Sequence, residues 1–191
     1  IAENSSARTQ DWSGGSDVFS STLKWIEQQS KGQMVPQSGI HNLDDLTGGF
    51  FPGELTIVGA RPGTGKTVLG MLIALNVARH GQRVGVLNLE MLDTQYGQRL
   101  VSHLSGVDGM KMRKGQLDSN DWPLVLDAAQ KLSALPMSFQ FTTRFIEDLV
   151  AEMQGQNFDL LVVDYIQLLR TRQRIESERL TIGHVVPAHA G

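Results

Sequence analysis

The octapeptide Ala60-Arg61-Pro62-Gly63-Thr64-Gly65-Lys66-Thr67 follows the apolar run Leu55-Thr56-Ile57-Val58-Gly59 and leads into an apolar stretch with helical spacing, residues 67–80. A strand, a glycine-rich turn and a helix in that order form a phosphate-binding loop. That loop limits the chain to an α/β layout with the turn at the carboxyl end of a strand. Gly63 and Gly65 supply the backbone conformations that let successive N–H groups converge on phosphate oxygens. Lys66 brings a point charge to the β/γ-phosphates, and the Thr67 hydroxyl is a hard ligand for Mg²⁺. Arg61, Pro62, Gly63, Thr64, Gly65, Lys66 and Thr67 are the expected nucleotide contacts. The loop departs from the usual spacing at one place, where Ala60 stands for an opening glycine with Gly59 just ahead of it. The later glycines and the Lys-Thr pair carry most of the contacts, so the change is modest. A ligand-free glycine turn is the competing reading. It leaves the order of strand, loop, Lys-Thr and apolar helix unexplained.

The 191 residues suit one α/β domain with a sizeable core. With no cysteine, disulfides and thiolate metal sites are excluded, which fits a reducing cytosol. No apolar stretch reaches the length of a membrane span and the first residues lack a signal-peptide pattern, so a cytoplasmic protein without membrane contact is expected. A formal net charge of -3 argues against a grip on nucleic acid by the whole surface; any such contact is local.

Residues 1–38 are rich in Ser, Gln, Gly and Asn and lack a strong period, apart from a short amphipathic helix expected over 18–29 with Leu23, Trp25 and Ile26. Beyond the turn-rich Thr47-Gly48-Gly49-Phe50-Phe51-Pro52-Gly53, strands and helices alternate. Strands are expected at 55–59, 84–89, 137–141 and 160–163, the last ending at Asp164. Helices are expected at 67–80, 94–105, 121 to about 135, and 146–154, with Asp121 as an N-cap and Pro123 in the first turn. The alternation predicts a mostly parallel sheet flanked by helices, with ligands at the carboxyl ends of strands.

Two acids fall at such ends. Asp164 follows Leu160-Leu161-Val162-Val163, where a phosphate-loop enzyme holds Mg²⁺; a strand-end Asp capping a turn is the plainer alternative. Glu90 ends the 84–89 strand. If that strand lies beside 55–59, Glu90 comes near the γ-phosphate and could activate water, whereas on the residues alone a solvated Glu leading into a helix is the simpler reading. Arg170, Arg172, Arg174 and Arg179, interrupted by Glu176 and Glu178, could face a DNA backbone, but mixed-charge runs are more often solvated faces with Arg–Glu pairs.

Taken together, five segments resemble the C-terminal ATPase domain of DnaB-type replicative helicases, which has a RecA-like fold. They are Leu43-Asp44-Asp45-Leu46-Thr47-Gly48-Gly49, the 60–67 loop, Leu89-Glu90-Met91, Gly115-Gln116-Leu117 before Asp121-Trp122, and Val162-Val163-Asp164-Tyr165-Ile166-Gln167-Leu168. Ala60 also fits this family. Ile1-Ala2-Glu3 looks like the end of its linker helix, and the similarity covers about residues 39–183. The resemblance implies ATP and Mg²⁺ as cofactors, Lys66 and Glu90 as catalytic residues with Glu90 the base, and Thr67 and Asp164 at the metal. It also implies a hexameric ring with nucleotide between subunits, translocation on single-stranded DNA, and a primase and a helicase loader as partners in the primosome. The 18–29 helix would then pack on an adjacent subunit as an oligomerisation clip.

Two departures stand out. The family's amino-terminal primase-contacting domain has no counterpart in these residues, and Val185-Val186-Pro187-Ala188-His189-Ala190-Gly191 does not resemble the long helix the family has there, which Pro187 would break. The expected organisation is therefore a linker with a short helix (1–38), an incomplete RecA-like core (39–184) and an atypical tail (185–191) that reads as a truncation or frame change. On that reading the arginine finger and DNA-binding loops fall outside the chain, which would hydrolyse ATP slowly. Two other functions remain open: a recombinase-like ATPase, which the 116–122 and 164–168 segments argue against, and a non-catalytic nucleotide-binding assembly module.

Overall fold

A computed structural model describes residues 13–32 and 34–172. The readings placed on residues 1–3, on Arg174, Glu176, Glu178 and Arg179, and on 185–191 lie outside the described residues. The chain divides into two units, Ile1–Met34 and Val35–Gly191. The first contains helix α1 (Gly15–Ser30), which exposes Val18, Phe19, Leu23, Trp25 and Ile26.

In the second unit the order is α2 (His41–Thr47), α3 (Lys66–Arg79), β1 (Val84–Asn88), α4 (Asp93–Ser105), α5 (Gly109–Arg113), α6 (Asp121–Ser133), β2 (Met137–Gln140), α7 (Ile146–Met153) and β3 (Leu160–Asp164). A 3₁₀ turn at Ile166–Leu168 follows. The strands form a parallel sheet in the order β2-β1-β3. Between parallel strands the chain must cross back over the sheet, and the helices between them make those crossings.

Strand β1 is central and buried along its whole length, the signature of a strand covered on both faces. Its side chains alternate between two cores. Val84 and Val86 join Met71, Ile73, Ala74, Leu75, Val77 and Ala78 of α3 and Tyr96 and Leu100 of α4. Leu87 joins Leu89, Ile146, Leu149 and Leu169 on the opposite side. Tyr96 meets Phe139 and Phe141 edge-on, with ring centroids 5.7 and 6.0 Å away.

One expected strand is absent. Residues 55–59 carry no strand pairing, and Leu55, Ile57 and Val58 are 53%, 69% and 49% exposed. An apolar run becomes a strand only where a neighbouring edge accepts its backbone N–H and C=O groups. Among the described residues, β3 spends one edge on β1 and no strand lines the other. The apolar pattern signalled burial but could not supply the missing neighbour. For the same reason β1 does not lie beside 55–59; its neighbours are β2 and β3. Asp121 is also not an N-cap. Asn120 holds that position without a side-chain bond, and the Asp121 carboxylate instead accepts from the Asp118 N–H and Lys111, each at 3.1 Å.

The lead-in to the loop is tied down by Asp44. Its carboxylate accepts the N–H groups of Ser38 (2.7 Å) and Gly39 (2.9 Å), while Gly48, at φ 76°, closes α2. Gly49 has no room for a side chain, since a Cβ there would lie 2.7 Å from the Pro36 carbonyl. Burial pushes the Asp44 carboxyl up, but the hydrogen bonds from Ser38 and Gly39, with the His41 charge, outweigh it and hold it below 3.8. A depressed folded-state pKa gives stability that is present above the unfolded value and lost as pH falls through the folded one. Asp44→Ala is therefore expected to cost about 1 kcal/mol at neutral pH, in the range of other capping side chains. In urea titrations that deficit should shrink as pH drops below about 4; a deficit independent of pH would contradict the assignment.

Candidate nucleotide site at the carboxyl edge of the sheet

Helix α3 begins at Lys66 and returns to β1 through a short connection that contains Gly81, Gln82 and Arg83. So short a connection turns the chain back on itself, and α3 runs antiparallel to the strands. Its amino end, with Lys66 and Thr67, therefore lies toward the carboxyl edge of the sheet, where Asp164 and Glu90 also stand. Contact between α3 and β3 is close at Gly70, where an added Cβ would come within 3.3 Å of Val162.

The loop itself is open to solvent from Arg61 through Gly65, while Lys66 and Thr67 are half-buried. Gly63 and Gly65 adopt φ 77° and 100°, the left-handed region expected of them. The Thr64 hydroxyl donates to the Arg61 carbonyl at 2.7 Å. The Lys66 ammonium folds back over the loop, donating to the carbonyls of Ala60 (2.9 Å) and Arg61 (3.4 Å). The first turn of α3 contains no acid that would compete for an anion at its positive end. Arg61 opens the turn, its carbonyl accepting the Thr64 N–H at 3.4 Å, and Pro62 and Gly63 form its exposed centre.

The acids are brought together by strand register. In the β1–β3 ladder Asn88 is the partner of Asp164, and the Leu89 N–H donates to the Asp164 carbonyl at 2.8 Å. Glu90 is exposed two residues beyond Asn88, in the bend that follows the strand next to that of Asp164. Asp164 is half-buried and accepts a hydrogen bond from Asn88 Nδ2 at 3.1 Å. Burial, followed by the negative charge of Asp164, pushes the Tyr96 hydroxyl well above its usual range and keeps it neutral. No sequence motif flagged Asn88; its signal was a polar residue closing an otherwise apolar strand.

The arginine run shows its bland side within the described residues. Arg172 makes two 2.7 Å bonds to Asp148 and lies 4.7 Å over the Phe145 ring.

The family model for the DnaB-like helicase C terminal domain matches residues 36–187. The chain belongs to that family. Among similar proteins is a probable replicative DNA helicase of Trieres chinensis, 29% identical over 91% of this chain and 40% of its own length. The replicative DNA helicase DnaB of Buchnera aphidicola is 30% identical over 81% of the chain and 35% of its length, and that of Treponema pallidum is 40% identical over 52% and 23%. The chain thus spans less than half of these relatives. A solved ATPase domain superposes with a TM-score of 0.76 at 20% identity, covering 92% of this chain and 65% of that one. A structure of a DnaB-like replicative helicase, studied with its interactions with primase, gives the same TM-score and identity over 44% of its own chain. The fold is therefore that of these DnaB-type, RecA-like ATPase domains.

The loop's geometry separates two neighbouring glycines. A side chain at Gly65 or Gly59 would meet nothing within 4 Å, but only Gly65 has a positive φ. Gly65→Ala is expected to cost about 1 kcal/mol or more through backbone strain and to weaken nucleotide binding. Gly59→Ala should leave both unchanged. Thermal unfolding and titration with a fluorescent ATP analogue measure the contrast; equal behaviour of the two variants would refute it.

Proposed function

We propose that the chain is the ATP-binding core of a ring-forming replicative DNA helicase, which couples Mg²⁺-ATP hydrolysis to translocation on single-stranded DNA. The observation that carries this is the convergence of three features on one edge of the sheet: the loop-bearing start of α3, the Asp164 strand end and the Glu90 strand end. Membership in the DnaB-like family supports the substrate.

In this reading the N–H groups of Arg61 to Thr67 (Pro62, which has none, excepted) and the Lys66 ammonium hold the phosphates. Lys66 exchanges its bonds to the Ala60 and Arg61 carbonyls for the more strongly charged phosphate oxygens. Thr67 and Asp164 offer hard oxygen donors at half-buried positions, a set that suits a small divalent cation completing its shell with water and phosphate. When bound, Mg²⁺ would neutralise charge building on the β/γ-phosphates. Glu90 would orient a water and take its proton as the oxygen attacks the γ-phosphorus and the bond to the β–γ bridging oxygen breaks. Arg61 to Gly65 lie open on the solvent side, as suits a nucleotide shared between adjacent copies.

Exposed apolar residues on α1, with Phe19, Leu23 and Ile26 at helical spacing, suit a clip that packs on the next subunit of a hexamer. Single-stranded DNA would run through the ring, and a primase and a loader would engage the whole protein. Among the described residues no helix is long and apolar enough to cross a membrane, and the protein is proposed to be cytoplasmic.

Lys66→Ala should weaken Mg²⁺-ATP binding at least about tenfold, the scale of losing a charge-assisted bond to phosphate. Glu90→Gln should bind normally but hydrolyse roughly 10²–10⁴-fold more slowly. Unchanged binding in the first, or unchanged turnover in the second, would defeat the assignment. Removing residues through α1 should shift the chain to smaller species in light scattering; an identical assembly state would exclude the clip.

A further inference from the structure

Asn88 is wholly buried, at 0% exposure, at the end of the central strand. A buried amide without partners is costly, so each of its polar atoms must be accounted for. Its Oδ1 accepts two backbone N–H groups, those of Glu90 (3.2 Å) and Met91 (2.8 Å). Its Nδ2 donates to Oδ2 of Asp164. The orientation of the amide is not arbitrary. Turned over, its NH₂ would face two other N–H donors and its oxygen would face a carboxylate.

A single side chain therefore holds both acids of the candidate site. Through Oδ1 it fixes the backbone of the turn that carries Glu90. Through Nδ2 it occupies one oxygen of Asp164 and leaves the other to a ligand. Asn88 itself has no route to the solvent in which a ligand would sit, so it acts through its neighbours.

We infer that Asn88 is a positioning residue that couples the metal-linked acid Asp164 to the water-activating base Glu90, setting the orientation of both for a bound Mg²⁺-nucleotide. This rests on the ATPase reading above and extends it to a residue outside the loop and the two acids. Groups that orient metal ligands by hydrogen bonding typically change metal affinity or activity by about 10–100-fold when removed. A residue needed only for packing would instead weaken every property of the site together.

The test uses the 191-residue chain with Asn88→Leu and Asn88→Ala, a fluorescent ATP analogue, and Mg²⁺ titrated from a chelated start. ATP-analogue affinity without Mg²⁺ should stay within about twofold, because the loop is untouched, while the Mg²⁺ midpoint rises about tenfold and single-turnover hydrolysis slows by at least as much. In an Asp164→Asn background the Asn88 substitutions should no longer move the Mg²⁺ midpoint, since the group they act through has changed. If buried Leu and Ala both prevent folding, the Asn88 side-chain amide resonance of the unaltered chain carries the test. It should shift when Mg²⁺ is added to the nucleotide complex and stay still in Asp164→Asn. Folded variants that keep the Mg²⁺ midpoint and turnover of the parent, variants that lose Mg²⁺-free affinity in parallel, or an amide resonance indifferent to Mg²⁺ would each overturn the inference. A parent chain that does not bind ATP at all would bring down the ATPase reading itself, and is distinguishable because it shows before any variant is compared.

Discussion

The parallel register of β1 against β3 is the constraint on which the rest of this domain depends. Pairing Val84 with Leu160 at one end forces Asn88 opposite Asp164 at the other. A slip by one residue would turn every side chain of β1 to the wrong face and send Val86 and Leu87 into each other's cores. The register is secured at its start as well. Asp159 and Arg83 exchange bonds there, with the Arg83 N–H on the Asp159 carboxylate and the Asp159 N–H on the Arg83 carbonyl. The acid-bearing edge is thus aligned from the opposite end of the strands. Burial of both β1 faces, at roughly 1.5–3 kcal/mol for each large apolar side chain, is what holds the alignment.

A second consequence follows from that burial. A strand covered on both faces ends in a dry environment, so the first polar residues beyond its apolar stretch must bring their own partners. Asn88 meets that demand with two backbone N–H groups and a carboxylate, and Asp164 meets it through Asn88. The hydrogen bonds that satisfy the strand ends are the same ones that aim the acids. Stability and site geometry are therefore not separable at this edge, whereas the loop, held through α3, stays open and free to close on an anion.

Much of this could be read from the residues, and the failures that move the site share one cause. Helices α3, α4, α6 and α7 and all three strands lie within a residue or two of their expected bounds, because hydrophobic period and glycine stops are local signals. The turn of the loop was legible for the same reason, its left-handed Gly63 and Gly65 standing within eight consecutive residues. Whatever depended on a partner distant in sequence was not. Residues 55–59 have a strand's composition but lack a strand's neighbour. The order β2-β1-β3 placed Glu90 beside the Asp164 strand and not beside the loop's lead-in. Asn88 looks like an ordinary strand end until Asp164 is set across from it. The expected Asp121 cap failed for a local reason: its carboxylate is taken by Lys111 and the Asp118 N–H, and Asn120 holds the cap position.

The surfaces left over point to how the proposed ring would be built. The loop is exposed from Arg61 to Gly65, and α1 carries Phe19 and Leu23 at 70% and 67% exposure. The first is polar and the second apolar. A two-fold contact can cross two unlike surfaces, but it does so reciprocally and closes at two copies. A head-to-tail contact pairs unlike surfaces, each copy giving one and receiving the other, and it closes into a ring when the rotation per copy divides a full turn. Unlike surfaces on one chain are thus compatible with the proposed head-to-tail ring. In such an assembly, a nucleotide bridging adjacent copies and an apolar helix clipped to a neighbour would both be favoured by closure. Occupancy of the loop and closure of the ring would then each strengthen the other.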